Sequence, residues 1–144
     1  MCTCITYENS SFYFGRNLDL DCSFGERVMI TPRNFPLTFR HAGAQKRHYA
    51  MIGMAAQAEK FPLYADAVNE KGLAMAGLNF PGNAFYQEVC GSGLEVASFE
   101  IIAWILGKCA SVAEAEQYLD DLRIVSTAFA DQMPPAPLHW MLAD

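Results

Sequence analysis

A cysteine stands directly behind the initiator methionine and opens a short alternating segment, Cys2-Thr3-Cys4-Ile5-Thr6-Tyr7. Removal of Met1 would leave a thiol and a free α-amine on one residue, and an N-terminal amine can serve as base for its own side-chain nucleophile. Such an amine titrates at about pH 8, in the range useful to a general base, so no histidine is required. Taken alone, Met1-Cys2 is also no more than a gene start can leave behind. Arg16 and Asp19 follow the next strand-like run, and a hairpin would bring them near Cys2. There Arg16 would favour the thiolate, and Asp19 would accept a hydrogen bond from the α-amine. The same two residues also suit an ordinary surface pair at (i, i+3). Asn79, which ends a strand of small residues, offers an amide N–H to a developing oxyanion. It equally suits a strand-end turn.

Positioning these groups calls for a sheet, and the first third of the chain reads as strands, with further strand candidates after it. Residues 2–7 alternate, Asn9-Ser10-Ser11 supplies turn chemistry, and residues 12–18 return. Arg27 to Thr31 is a short apolar strand stopped by Pro32, and residues 33–48 read as a loop. Ala50 to Ala56 and Leu63 to Val68 are further strands. Asn69-Glu70-Lys71-Gly72 is a turn, with Gly72 free to take positive φ. Leu73 to Phe80 returns, and its Ala74, Ala76 and Gly77 imply close backbone approach. After residue 95 the period changes. Phe99, Ile102, Ala103 and Leu106 recur at helical spacing. Ser111 opens a capping box with Glu114, and Val112, Ala115, Leu119 and Leu122 predict a second helix. Pro134, Pro135 and Pro137 stiffen the connection to a final strand at 138–143. Strands followed by helices indicate an α+β layered domain, mainly antiparallel sheet with two packed helices. An apolar strand at the end of the chain is an edge to be covered.

The 144 residues suit one domain, with 52 % hydrophobic and 18 % charged residues, enough apolar surface for a core. The net charge of −6 argues against nucleic acid or an anionic membrane as partner. Arg33, Arg40, Lys46 and Arg47 form one modest basic stretch, read as a solvated loop. No apolar run is long enough for a membrane helix, and the N-terminus lacks the regions of a secretory signal. Five irregularly spaced cysteines are not a disulfide framework and fit a reducing cytoplasm. Neither a metal nor a cofactor is expected, since His41, His48 and His139 are scattered and Cys2-x-Cys4 has no companion pair.

Several separated segments, in one collinear order, resemble the choloylglycine hydrolase family, specifically its bile salt hydrolases, within the N-terminal nucleophile hydrolases. They are Met1-Cys2-Thr3, the run Tyr13-Phe-Gly-Arg-Asn-Leu-Asp19, Ile30-Thr-Pro-Arg33, the run from Asn69 to Gly82, and Leu138-His-Trp140. The resemblance implies a four-layer αββα sandwich and cysteine-dependent hydrolysis of the amide bond in glycine- or taurine-conjugated bile salts. It maps the nucleophile onto Cys2, the arginine onto Arg16, the aspartate onto Asp19 and the oxyanion-side asparagine onto Asn79. The related penicillin V acylases match less well at Asn-Phe-Pro-Gly, which tilts the expected substrate toward bile salts. An apolar pocket for the steroid is implied, and Phe24, Phe61 and Tyr64 are either its lining or core.

The resemblance covers only about the N-terminal half of a usual member. Residues 1–144 are therefore expected to be a single, C-terminally truncated domain of the sandwich. A second oxyanion asparagine and a further arginine lie in the family's other half and have no counterpart here. An apolar sheet face would stand open, so the chain is expected to be a homo-oligomer or to need its missing half. Alone it is expected to be unstable or oligomeric and to show little hydrolase activity, as a fragment of an active enzyme or as a ligand-binding remnant.

Overall fold

The computed structural model describes residues 2–144. A first hairpin joins β1 (Thr3–Glu8) to β2 (Phe12–Asn17), antiparallel, with Cys4 opposite Arg16 and Tyr7 opposite Tyr13. Next come β3 (Arg27–Thr31), the small hairpin β4 (Leu37–Phe39) and β5 (Gly43–Gln45), then β6 (Met51–Ala58), β7 (Phe61–Tyr64), β8 (Asp66–Asn69) and β9 (Ala74–Asn79). The later part holds β10 (Leu94–Ala97), α1 (Ile101–Lys108), α2 (Val112–Leu119), β11 (Leu122–Val125) and β12 (Leu138–Ala143). The main sheet runs β12-β9-β8-β6-β3 with β7 also paired to β6, every pairing antiparallel.

Three local expectations change. The stretch 33–48 is not all loop, because Leu37 and Phe39 bury their side chains and carry the β4–β5 hairpin. The strand at 63–68 divides at Ala65, whose N–H reaches Met54 O at 2.8 Å, and both halves remain on β6. The second helix ends at Leu119, not Leu122. Asp120 and Asp121 follow at its carbonyl end, where negative charge is unfavourable, and Leu122 instead opens β11, parallel to β10. The capping box forms as expected: Ser111 Oγ accepts from Glu114 N at 3.2 Å, and Glu114 Oε2 accepts from Ala110 N at 2.7 Å.

One face of the sheet is covered by α1, which is buried from Ile101 to Gly107 and packs on β8 and β9 with Ala67, Leu73 and Met75. A helix buried on all sides needs neighbours on all sides, and β7 and β10 provide them together with Tyr118 of α2, which meets Trp104 edge-on. The other face is largely open. Ile30, Ile52 and Val68 are cross-strand neighbours in β3, β6 and β8, and Ile30 and nearby Val28 remain 69 % and 65 % exposed. This row is the open apolar face expected of half a sandwich.

At the far end of the sheet, Arg33 Nε donates to both Glu70 oxygens at 2.8 Å, and Glu70 Oε1 also accepts from Ala50 N at 2.9 Å. The Arg33 hydrogen bond, then the Ala50 N–H, hold the Glu70 carboxyl down at about 2, from an ordinary value of 4.5. A depressed carboxyl contributes stability above its unfolded pKa and loses it as pH falls through the folded one. Glu70→Gln is therefore expected to flatten the loss of stability between pH 4.5 and about 2, read from urea midpoints along a pH series. An unchanged slope would rule this out.

Candidate active site

The β1–β2 ladder brings Cys2 beside the second strand. Thr3 N–H donates to Asn17 Oδ1 and pins the backbone immediately after Cys2. The hairpin lies on the main sheet at β9, where Arg16 Nη2 donates to Gly77 O. Gly77 is two residues before Asn79, so β9 delivers Asn79 to the same place. A Cβ added at Gly77 would meet Leu138 Cδ1 and Trp140 Nε1 at 3.5 Å, so the small residue there lies against β12 rather than against the guanidinium.

The Cys2 thiol is half-buried. Burial pushes it up, but the backbone N–H groups of Asn79 and Asp19 donate toward the sulfur, and the positive charges of Arg16 and of the amino terminus add to them. The balance sets it below the ordinary thiol value of 9.0. The Asp19 carboxyl is held below its usual range by a hydrogen bond from the amino terminus and by its charge. Met1 itself, on whose removal the free amine of Cys2 depends, lies outside the described residues. Arg16 is a buried group, with a side chain only 7 % exposed. Its Nε lies 3.6 Å from Asp66 Oδ2, and among the described residues neither Nε nor Nη1 makes a hydrogen bond. A buried guanidinium with spare donors is costly unless a further acceptor arrives. Asp66 went unseen in the sequence reading, because nothing local marks a residue that meets Arg16 only through the packing of two layers.

Phe24 is 63 % exposed in the loop after Asp19, its N–H fixed by Glu26 Oε2 at 2.8 Å. Phe61 stands edge-on to Phe39 and Phe99 at 5.9 and 6.0 Å. It borders a cleft of about 370 Å³ whose lining includes neither Arg16 nor Asn79. Tyr64 is buried, its hydroxyl 2.7 Å from Thr31 Oγ1. Of the three aromatic residues read as either lining or core, Phe61 and Tyr64 make core contacts, since their strand pairs with β6 over the helix-covered core. A separate cleft of about 330 Å³ opens beside Arg16 between the hairpin and the sheet, lined by Phe12, Phe14, Ile52, Asp66 and Val68. Among the described residues no three His, Cys, Asp or Glu side chains gather as a metal site would require.

An α+β fold with a second-residue cysteine set against backbone donors and a buried arginine defines the class of N-terminal nucleophile hydrolases. Residues 2–144 match the model of the linear amide C–N hydrolases, choloylglycine hydrolase family, and the chain belongs to that family. It is 47 % identical over 144 residues to the bile salt hydrolase/transferase of Lactiplantibacillus plantarum, covering all of this chain and 44 % of that protein. It is 37 % identical over 147 residues to a conjugated bile acid hydrolase of Lactobacillus gasseri, covering 46 % of it. The chain thus spans somewhat under half the length of these relatives. The crystal structure of the C2A mutant of the conjugated bile acid hydrolase from Clostridium perfringens superposes with a TM-score of 0.92 at 32 % identity, over the whole of this chain and 45 % of that one. A penicillin V acylase from Agrobacterium tumefaciens shares the fold, with a TM-score of 0.76 at 20 % identity.

Proposed function

We propose that this chain carries the nucleophile half of a cysteine-dependent amidase acting on glycine- or taurine-conjugated bile salts. The observation that carries it is the convergence of the Asn79 and Asp19 N–H groups and the Arg16 charge on Cys2. With Met1 removed, the α-amine takes the thiol proton and Sγ attacks the amide carbonyl. The oxyanion is met by Asn79. The amine then protonates the departing amino acid, and water activated by the same amine cleaves the thioester. Asp19 orients the amine, Arg16 holds the thiolate and presents its spare donors to substrate, and Phe24 contributes to the apolar wall. The names of the relatives support bile salts over penicillin V as substrate. No helix among the described residues is long and apolar enough to cross a membrane. With all five cysteines free, the cytoplasm is the proposed location.

The open row of Val28, Ile30, Ile52 and Val68 supports a second element of this reading: turnover requires more polypeptide on that face, from the rest of the family domain or another copy of the chain. The test is release of glycine or taurine from glycocholate or taurocholate. It is run on the 144-residue chain alone and after co-expression with the C-terminal remainder of the L. plantarum relative. Release only in the second preparation is expected. No release in either would sink the amidase reading, and full activity from a soluble monomer would sink the requirement for a complement.

A further inference from the structure

We infer that the far end of the sheet carries a second binding site, for a small phosphate-bearing molecule, independent of the amidase site. A cleft of about 500 Å³ lies there, lined by Arg33, Arg47, Lys71 and Lys108 with Glu70 as the one carboxylate. In a chain of net charge −6, that is a concentration of positive charge no composition predicts. The cations come from four separate segments: the residues after β3, those after β5, the turn between β8 and β9, and the end of α1. Two are pre-positioned on aromatic rings, Lys71 Nζ at 5.5 Å from the Tyr49 centroid and Lys108 Nζ at 4.9 Å from that of Trp104. The cleft lies by the Glu70–Lys71 turn, while Asn79 ends β9 at the other side of the sheet. At about 3.3 Å per residue, the length of β9 from Ala74 to Asn79 separates them by about 17 Å.

A second observation points to a ligand. Gln45 lines the same cleft, and both its carboxamide atoms are buried with no hydrogen-bond partner among the described residues. A buried amide without partners is costly, and native structures rarely keep one idle. Room for it is made by Gly107, inside α1, where an added Cβ would meet Gln45 Oε1 at 2.7 Å. Glycine in a helix interior is unfavourable against alanine. The cations suit phosphate oxygens, and the carboxamide, closed to solvent in the free protein, would turn outward to meet a donor–acceptor edge such as a nucleobase presents.

Calorimetric titration with ADP and with pyrophosphate, at physiological ionic strength, tests the site and separates its two possible sources. Both are expected to bind saturably. Arg47→Gln with Lys71→Gln, exposed positions that leave the core untouched, is expected to weaken both at least tenfold. Gln45→Leu removes the idle amide, so it is expected to raise the thermal midpoint of the free protein. It should weaken ADP several-fold while leaving pyrophosphate unchanged. Cys2→Ala is expected to alter neither affinity. Absence of saturable binding by both probes, or undiminished affinity in the double variant, would overturn the site. Unchanged ADP affinity in Gln45→Leu would overturn the role given to the carboxamide.

Discussion

Replacing Cys2 with alanine is expected to lower hydrolysis of conjugated bile salts by the complemented protein by a factor on the order of 10⁴ or more, with the fold intact. The size of the effect follows from the arrangement. In the proposed mechanism the freed α-amine, the Asn79 and Asp19 N–H groups and the Arg16 charge all act on one sulfur, and they have nothing to act on once it is gone. Groups that work as a unit are lost together, so adding Arg16→Met to the alanine variant should reduce the residual rate little further. Labelling gives a second reading of the same site. Iodoacetamide at pH 7.5 is expected to modify Cys2 and leave Cys109 untouched, because Cys109 is fully buried and burial, with the nearby Glu114 charge, pushes its thiol up to about 11. Rapid turnover by the alanine variant, read as freed glycine per minute, would remove Cys2 from the mechanism.

The largest stability effect is expected at Asn69, a residue with no part in the chemistry. Its side chain is 4 % exposed and makes four hydrogen bonds. Nδ2 donates to Leu106 O at 2.9 Å and Cys109 O at 2.7 Å, satisfying two carbonyls at the end of α1. Oδ1 accepts from Lys71 N at 3.0 Å and Leu73 N at 3.1 Å, closing the turn that leads into β9. One amide thus ties the central helix to the hairpin that carries Gly77 and Asn79. Alanine would leave buried groups at Leu73 and Cys109 unpaired, at about 1–3 kcal/mol for each unsatisfied group. A loss of about 4 kcal/mol is expected, a large share of the stability of a domain this size. It would appear as a lower urea midpoint at constant slope. A loss under about 1 kcal/mol would mean that water replaces the amide. Aspartate should be no better than alanine, since it keeps the acceptor but turns a second oxygen toward the two carbonyls.

Much of this was legible in the sequence wherever the information is local. The alternation of residues 2–7 and the turn at Asn9 to Ser11 specify the first hairpin. Ser111 and Glu114 specify a helix start. Each depends on neighbours within a few positions. Asn69 was read as the first residue of a turn, which it is, but its two donor bonds span 37 and 40 residues and leave no local mark. Phe61 and Tyr64 read as either pocket or core, because an aromatic residue in a strand looks the same on either face until the layers are assembled.

The order and chemistry of the segments around Cys2, Arg16, Asp19 and Asn79 were determined by the sequence alone, since backbone pattern and residue type carry them. Only the tertiary structure decided what those residues meet. It set Arg16 against Gly77 and near Asp66, and gathered Arg33, Arg47, Lys71 and Lys108 into one cleft, although the linear reading had grouped Arg33 and Arg47 with Arg40 and Lys46 as a solvated stretch. It also left Val28 and Ile30 bare. The physical reason is the same in each case. Burial and charge density arise from segments far apart in the chain that pack together, and a residue's own neighbours in sequence do not encode which layer will lie across from it.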